Sequence, residues 1–193
     1  VFIVSVIVHE ISHGAVAYLL GDETAYRMGR LTMNPVSHID PFGSIILPLV
    51  LAIPLLFGIQ PIIVGWAKPV PYNPNNLKNP KSGAGLIAWA GPASNFLIAF
   101  VFAGLLAFIP VGTQIGVAFQ YIILINLMLA VFNLVPIPPL DGSKILAAFL
   151  PHYSPIIAFL ERNSMLLLLA FLFFGLSAVQ VVVGIIYRLL IGI

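Results

Sequence analysis

Two histidines four residues apart, with a glutamate directly after the first, form the run His9-Glu10-Ile11-Ser12-His13. On a helix, residues four apart share a face, so both imidazoles converge on one point where a zinc ion can be bound. Glu10 falls beside that point rather than on it, where a general base for a metal-activated water belongs. Two histidines do not complete such a centre, because catalytic zinc takes three protein ligands. The chain has no cysteine, so the third ligand must be His, Asp or Glu. The candidates are His38, His152, Glu23, Glu161, Asp22, Asp40 and Asp141. Asp141 stands out. It ends the uncharged stretch Ser82 to Leu140 and sits among Pro136, Pro138, Pro139 and Gly142. Non-helical backbone at membrane depth is tolerated where it is buried in protein or lines a water-filled cavity, and a hydrolytic site needs such a cavity. The plainer reading of Asp141 is a turn aspartate before glycine. His38 and Asp40, in Asn34-Pro35-Val36-Ser37-His38-Ile39-Asp40-Pro41, read as turn organisers, and His152 beside Pro151 as structural.

The elements that must position these groups are apolar to an unusual degree. Hydrophobic residues make up 61% of the 193 residues and charged ones 7%, against about 25% charged in ordinary globular proteins. No charge occurs from Pro41 to Ala67, from Ser82 to Leu140, or from Asn163 to Tyr187. A helix needs about 20 apolar residues to cross a bilayer core, so each stretch is long enough, and the middle one is long enough for two. Apolar segments are expected at 1–20, 44–65, 84–109, 115–137 and 164–190, with a break at Pro110 to Gln114. The expected architecture is an all-α polytopic membrane protein of four to six transmembrane or re-entrant segments, forming one domain over 1–193. Tyr26 to Met33 suits a short strand or hairpin, and the proline-punctuated Ala67 to Gly83 an edge strand or loop, with 26–33 or 68–73 as the edge of a small β-ribbon near the membrane surface. Trp66, Trp89 and Tyr187 suit the aromatic belt. The net charge of +2 comes from scattered Lys and Arg, which argues against nucleic acid as a partner. Val1 in place of a methionine suggests a trimmed N-terminus.

Segment 44–65 carries Pro48, Pro54, Gly58 and Pro61, many breakers for a plain span. The loops on both sides of it are basic, so both belong in the cytoplasm and the segment should be re-entrant. Metal geometry asks for the same. If helix 1–20 runs toward the cytoplasm, segments 84–109 and 115–137 return Asp141 to the level of His9 and His13 only when 44–65 makes an even number of crossings.

With these residues in place, the chain resembles the site-2 protease family of intramembrane zinc metalloproteases over nearly its whole length. The likeness is carried by His9 to Gly14, by Gly91-Pro92-Ala93-Ser94-Asn95, and by Asn133 through Gly142, which looks like the family's N-x-x-P…L-D-G element. The resemblance implies one catalytic zinc held by His9, His13 and Asp141, with Glu10 as general base. It implies that Asn133 hydrogen-bonds the reacting water or the oxyanion, and that Asn95 helps hold substrate or the active-site helices. Substrates would be membrane proteins cleaved in or beside their transmembrane segments, within the lipid bilayer of a prokaryotic cell and toward its cytoplasmic side. The chain looks like a compact, core-only bacterial or archaeal member, without a PDZ domain or CBS pair. A different class, a metal or proton transporter, also places His and carboxylates inside a membrane. Glu10 separates the two: hydrolysis requires a base there, whereas a metal relay works with an amide.

Overall fold

The computed structural model of the protein describes residues 1–58, 65, 67–110, 112–151 and 154–192. Regular structure among them is helical: α1 (Phe2–Leu19), α2 (Thr24–Arg27), α3 (Pro41–Phe57), α4 (Pro80–Leu106), α5 (Gln114–Asn133), α6 (Asp141–Phe149), α7 (Pro155–Arg162) and α8 (Ser164–Ile191). Four of them, α1, α4, α5 and α8, are long and apolar enough to cross a membrane. Their starts follow ordinary helix chemistry. Pro80 and Pro155 open α4 and α7, where the missing N–H costs nothing. Thr113 caps α5 by accepting from the Gly116 N–H at 3.1 Å.

The long helices run alternately up and down. His13 and Asn95 mark this for α1 and α4: His13 meets Ile87, while Ser5 meets Asn95. Asn95 meets Asn126 and Phe102 meets Phe119, so α5 is antiparallel to α4. Ile123 and Leu127 of α5 pack with Val179 and Val183 of α8, closing a core with Ala99 and Ala103. Lipid tails are as apolar as leucine, so close van der Waals contact between helices holds such a bundle, and small residues permit it. Alanines at 99, 103 and 130, all buried, do so here.

The excursion through α3 ends where it begins. The Lys68 N–H donates to the His38 carbonyl at 2.9 Å, and a Cβ built on Gly65 would lie 2.7 Å from the Gly43 carbonyl oxygen. The chain leaves the bundle at one point and is back at it before α4.

The expected β-ribbon is absent: there is no strand among the described residues. Residues 24–27 form the helical turn α2, supported by the Glu23–Arg27 ion pair at 2.8 Å and by Asp22, which accepts from the Thr24 N–H and hydroxyl. Residues 67–73 are extended, but the N–H groups of Lys68, Val70 and Asn73 go to the His38 carbonyl and to the carboxylates of Glu10 and Asp22 rather than to a neighbouring strand. Asp141, expected at a break, instead opens the short helix α6. Trp66 and His152 lie outside the described residues.

Candidate metal centre

Ser5, His9, His13 and Ala17 recur every four residues and form the buried stripe of α1. That stripe faces α4, and the imidazoles are received by a gap in it. A Cβ at Gly91 would lie 2.5 Å from atoms of both His9 and His13, so only glycine lets the rings lie against the α4 backbone. Asp141 arrives from the other side, through the proline-rich turn after α5. Gly142 makes its seat, because a Cβ there would come within 2.5 Å of the Leu134 and Val135 carbonyl oxygens. The negative carboxylate lies in the first turn of α6, where the helix dipole favours it.

His9 Nε2 and His13 Nε2 each lie 3.1 Å from Asp141 Oδ2, and the ring planes are 88° apart. All three residues are buried. The distal nitrogens decide what this convergence means. His13 Nδ1 lies 2.6 Å from the Ile87 carbonyl, which can only accept, so Nδ1 carries the proton. His9 Nδ1 lies 2.7 Å from Asn95 Oδ1 and donates likewise. Each neutral imidazole then presents a bare Nε2 lone pair to the carboxylate. Three acceptors aimed at one another in a buried site suit a cation between them, whether a metal ion or a proton on one ring. A tetrahedral zinc with bonds of about 2.0–2.1 Å sets its ligands about 3.3–3.4 Å apart, close to the spacing found. Donor set, tautomers and distances therefore fit zinc. The second oxygen of Asp141 faces Lys144 Nζ at 3.7 Å.

Glu10 lies on α1 next to this group, and its Oε2 accepts the Val70 N–H at 2.9 Å. Two clamps hold the extended segment that supplies this N–H. Before Val70, the buried guanidinium of Arg30 donates to the carbonyls of Ser37, Lys68 (2.7 Å) and Pro69 (3.2 Å). After it, the buried carboxylate of Asp22 accepts from the Asn73 N–H (2.8 Å) and the Asn76 amide (2.7 Å). Burial opposes ionisation of Asp22, but its bonds from Thr24, Asn76 and Asn73 outweigh that cost and hold its carboxyl below the ordinary carboxylate range. Tyr72, in the same segment, is pushed the other way: burial first, and then the negative charge of Asp141, raise its phenol above the ordinary value.

The structure thus brings together His9, His13 and Asp141, with Glu10 alongside. Asn95 is fully buried behind His9, bonded to His9, Ser5 and Asn126, so its contacts are with the helices. Asn133 ends α5 and donates one amide N–H back to the Leu129 carbonyl at 2.9 Å. His38 donates to the Thr32 carbonyl and Asp40 accepts the Gly43 N–H, the turn-forming roles expected of them. Sequence reasoning passed over Asn126, Ser5, Arg30 and Val70. For Asn126 a signal existed, an amide in the middle of an apolar span. For Val70 there was none, since only its backbone acts.

The family model for peptidase family M50 matches residues 111–175. "Putative zinc metalloprotease YwhC" of Bacillus subtilis is 39% identical over 158 residues, covering 77% of this chain and 67% of that protein. "Putative zinc metalloprotease Rip2" of Mycolicibacterium smegmatis is 30% identical over 158 residues, 80% of this chain and 56% of its own. "Putative zinc metalloprotease MJ0611" of Methanocaldococcus jannaschii is 45% identical over 62 residues, 32% of each chain. The chain spans about two thirds of the first of these relatives and just over half of the second. No solved structure matches it. The histidine pair, the returning aspartate and these relatives lead to one assignment: the chain belongs to peptidase family M50, the zinc metalloproteases.

Proposed function

We propose that the protein is an intramembrane endopeptidase that hydrolyses peptide bonds in or beside the transmembrane segments of other membrane proteins. The observation that carries this reading is the buried convergence of His9, His13 and Asp141 within a bundle of bilayer-length helices. His9, His13 and Asp141 hold the zinc, which when bound supplies a Lewis acid that polarises a carbonyl and acidifies water. Glu10 takes the proton of the attacking water as its oxygen bonds to the scissile carbon, then gives that proton to the leaving nitrogen as the C–N bond breaks. The Val70 N–H aims the Glu10 carboxylate throughout. Asn133, at the end of α5 with a second amide N–H beyond its bond to the Leu129 carbonyl, is the residue read as steadying the oxyanion.

A transmembrane helix hides its carbonyls in hydrogen bonds, so a substrate must be extended to be cut. Residues 67–73 offer an extended template beside Glu10. The Val70 carbonyl and the N–H of Tyr72 have no partner among the described residues, and both suit main-chain pairing without demands on sequence. The cytoplasmic side is supported by charge. Arg27, Lys68, Lys78, Lys81, Lys144 and Arg162 lie toward the end of α1 that carries the site, and Arg188 toward the opposite end. His13 is about 9 Å from the end of α1 at 1.5 Å per residue, a depth that water can reach.

The transporter reading has no such support, since it gives Glu10 and its backbone clamp no task. The test is Glu10→Gln in proteoliposomes holding a panel of single-span model substrates. The variant should keep zinc at the wild-type stoichiometry and lose cleavage; cleavage that persists would rule the mechanism out.

A further inference from the structure

A chain of buried amides runs behind the metal centre. Asn126, in the middle of α5, is fully buried. Its Nδ2 lies 2.9 Å from the Ile122 carbonyl and 3.0 Å from Ser5 Oγ, and its Oδ1 lies 2.8 Å from Asn95 Nδ2. Asn95 in turn places Oδ1 on His9 Nδ1 at 2.7 Å and reaches the Ser5 carbonyl with Nδ2 at 3.3 Å.

This chain has only one consistent polarity. A carbonyl cannot donate, so Ile122 demands the NH₂ of Asn126. That turns the Asn126 oxygen toward Asn95, which must answer with its own NH₂. The Asn95 oxygen is then left for His9, which must carry its proton on Nδ1. Reversing any amide would set NH₂ against NH₂ or oxygen against carbonyl oxygen between two fully buried side chains.

We infer that Asn126 is a positioning residue for the metal centre: its orientation, fixed by the Ile122 carbonyl, is passed through Asn95 to hold His9 in the tautomer that bares Nε2. Partners of this kind set ring orientation and tautomer in metal sites, and their loss typically costs 10- to 100-fold in metal affinity. His13 needs no such relay, because a backbone carbonyl meets its Nδ1 directly. The difference makes His9 the ligand that depends on a third helix. Ser5 completes the bonding of Asn126 but does not set its polarity, since a hydroxyl can donate or accept.

The inference rests on the reading of His9 as a zinc ligand, and the experiment separates the two. Zinc dissociation constants are measured by chelator competition for wild type, Asn126→Leu and Ser5→Ala in nanodiscs. Alongside them, ¹⁵N-histidine spectra of the metal-free proteins report the His9 tautomer. Asn126→Leu should weaken zinc binding about tenfold and give His9 a mixed tautomer, with the Asn95–Ser5 bond as the remaining restraint. Ser5→Ala should change neither, although it too removes a buried bond between helices. Adding Asn95→Asp to Asn126→Leu should restore both readings, because a carboxylate can only accept from Nδ1. Where Asn126→Leu does not fold, Asn126→Ala gives the same two readings without added bulk. Equal zinc affinity and an unchanged tautomer in the Asn126 variant, or equal losses in the Asn126 and Ser5 variants, would overturn the relay. Failure of the wild type to bind zinc would overturn the metal-site reading itself.

Discussion

The backbone N–H of Val70 donates to Glu10 Oε2 at 2.9 Å, across a sequence separation of 60 residues. The proposed base is therefore held, among the described residues, by a main-chain donor, and the tie can be cut without altering a side chain of the centre. Val70→Pro removes the donor in a segment already extended between Pro69 and Pro71. Cleavage should slow by about 10- to 100-fold, the usual cost of a misplaced catalytic group. Zinc content should not change. A wild-type rate in single-turnover assays would mean that Glu10 is aimed by something else.

Gly91 admits both imidazoles to the face of α4. Gly91→Ala puts a methyl carbon 2.5 Å from atoms of His9 and His13, and overpacking of this sort costs about 1–3 kcal/mol. The rings can relieve it only by leaving their positions, so bound zinc should drop well below one per chain. Gly104→Ala, in the same helix with open space around its position, should keep full occupancy. Equal metal content in the two variants, read by mass spectrometry, would contradict the close approach.

Arg30 donates to three carbonyls on two separate segments. A lysine keeps the charge but lacks the planar fork that reaches both. Arg30→Lys should lower stability by on the order of 2 kcal/mol, since hydrogen bonds to charged groups contribute about 1.5–3 kcal/mol each and a lysine retains part of the set. It should also open the 67–73 segment to limited proteolysis before the bundle is cut. A digestion pattern identical to wild type would count against the clamp.

Asp22 contributes a pH dependence with a definite sign. Its folded-state carboxyl titrates below the ordinary carboxylate value, so the stability it adds is present above that value and is lost as pH falls through and below about 4. Wild type should exceed Asp22→Asn in thermal stability at pH 7, and the gap should close as the solution is acidified through that window. A gap that stays constant down to pH 3 would show that ionisation of Asp22 is irrelevant.

The spans and the residues that converge, His9, His13 and Asp141, were legible in the sequence for one reason: both follow from composition and short-range periodicity. The i, i+4 spacing of His9 and His13 survives in any helix, and an apolar stretch interrupted only at Asp141 marks that carboxylate wherever the chain folds. The ribbon expected from 26–33 and 68–73 does not form among the described residues, because strand preference says nothing about who satisfies the backbone. Here Asp22, Glu10 and the His38 carbonyl do so, from distant positions. Asn126 escaped notice for a related reason. Its importance lies in the order of donors and acceptors across three helices, which no single stretch of sequence records.

The hydrogen bond between Lys68 and His38, with Gly65 against Gly43, closes the α3 excursion on itself. A detour that rejoins its own point of departure can grow, shrink or be exchanged without rethreading the remaining helices. The cluster of His9, His13 and Asp141 is built by α1 and the start of α6 against α4, all outside that detour. Exchanging residues 44–58 between two relatives should therefore leave zinc affinity unchanged, as chelator competition would read.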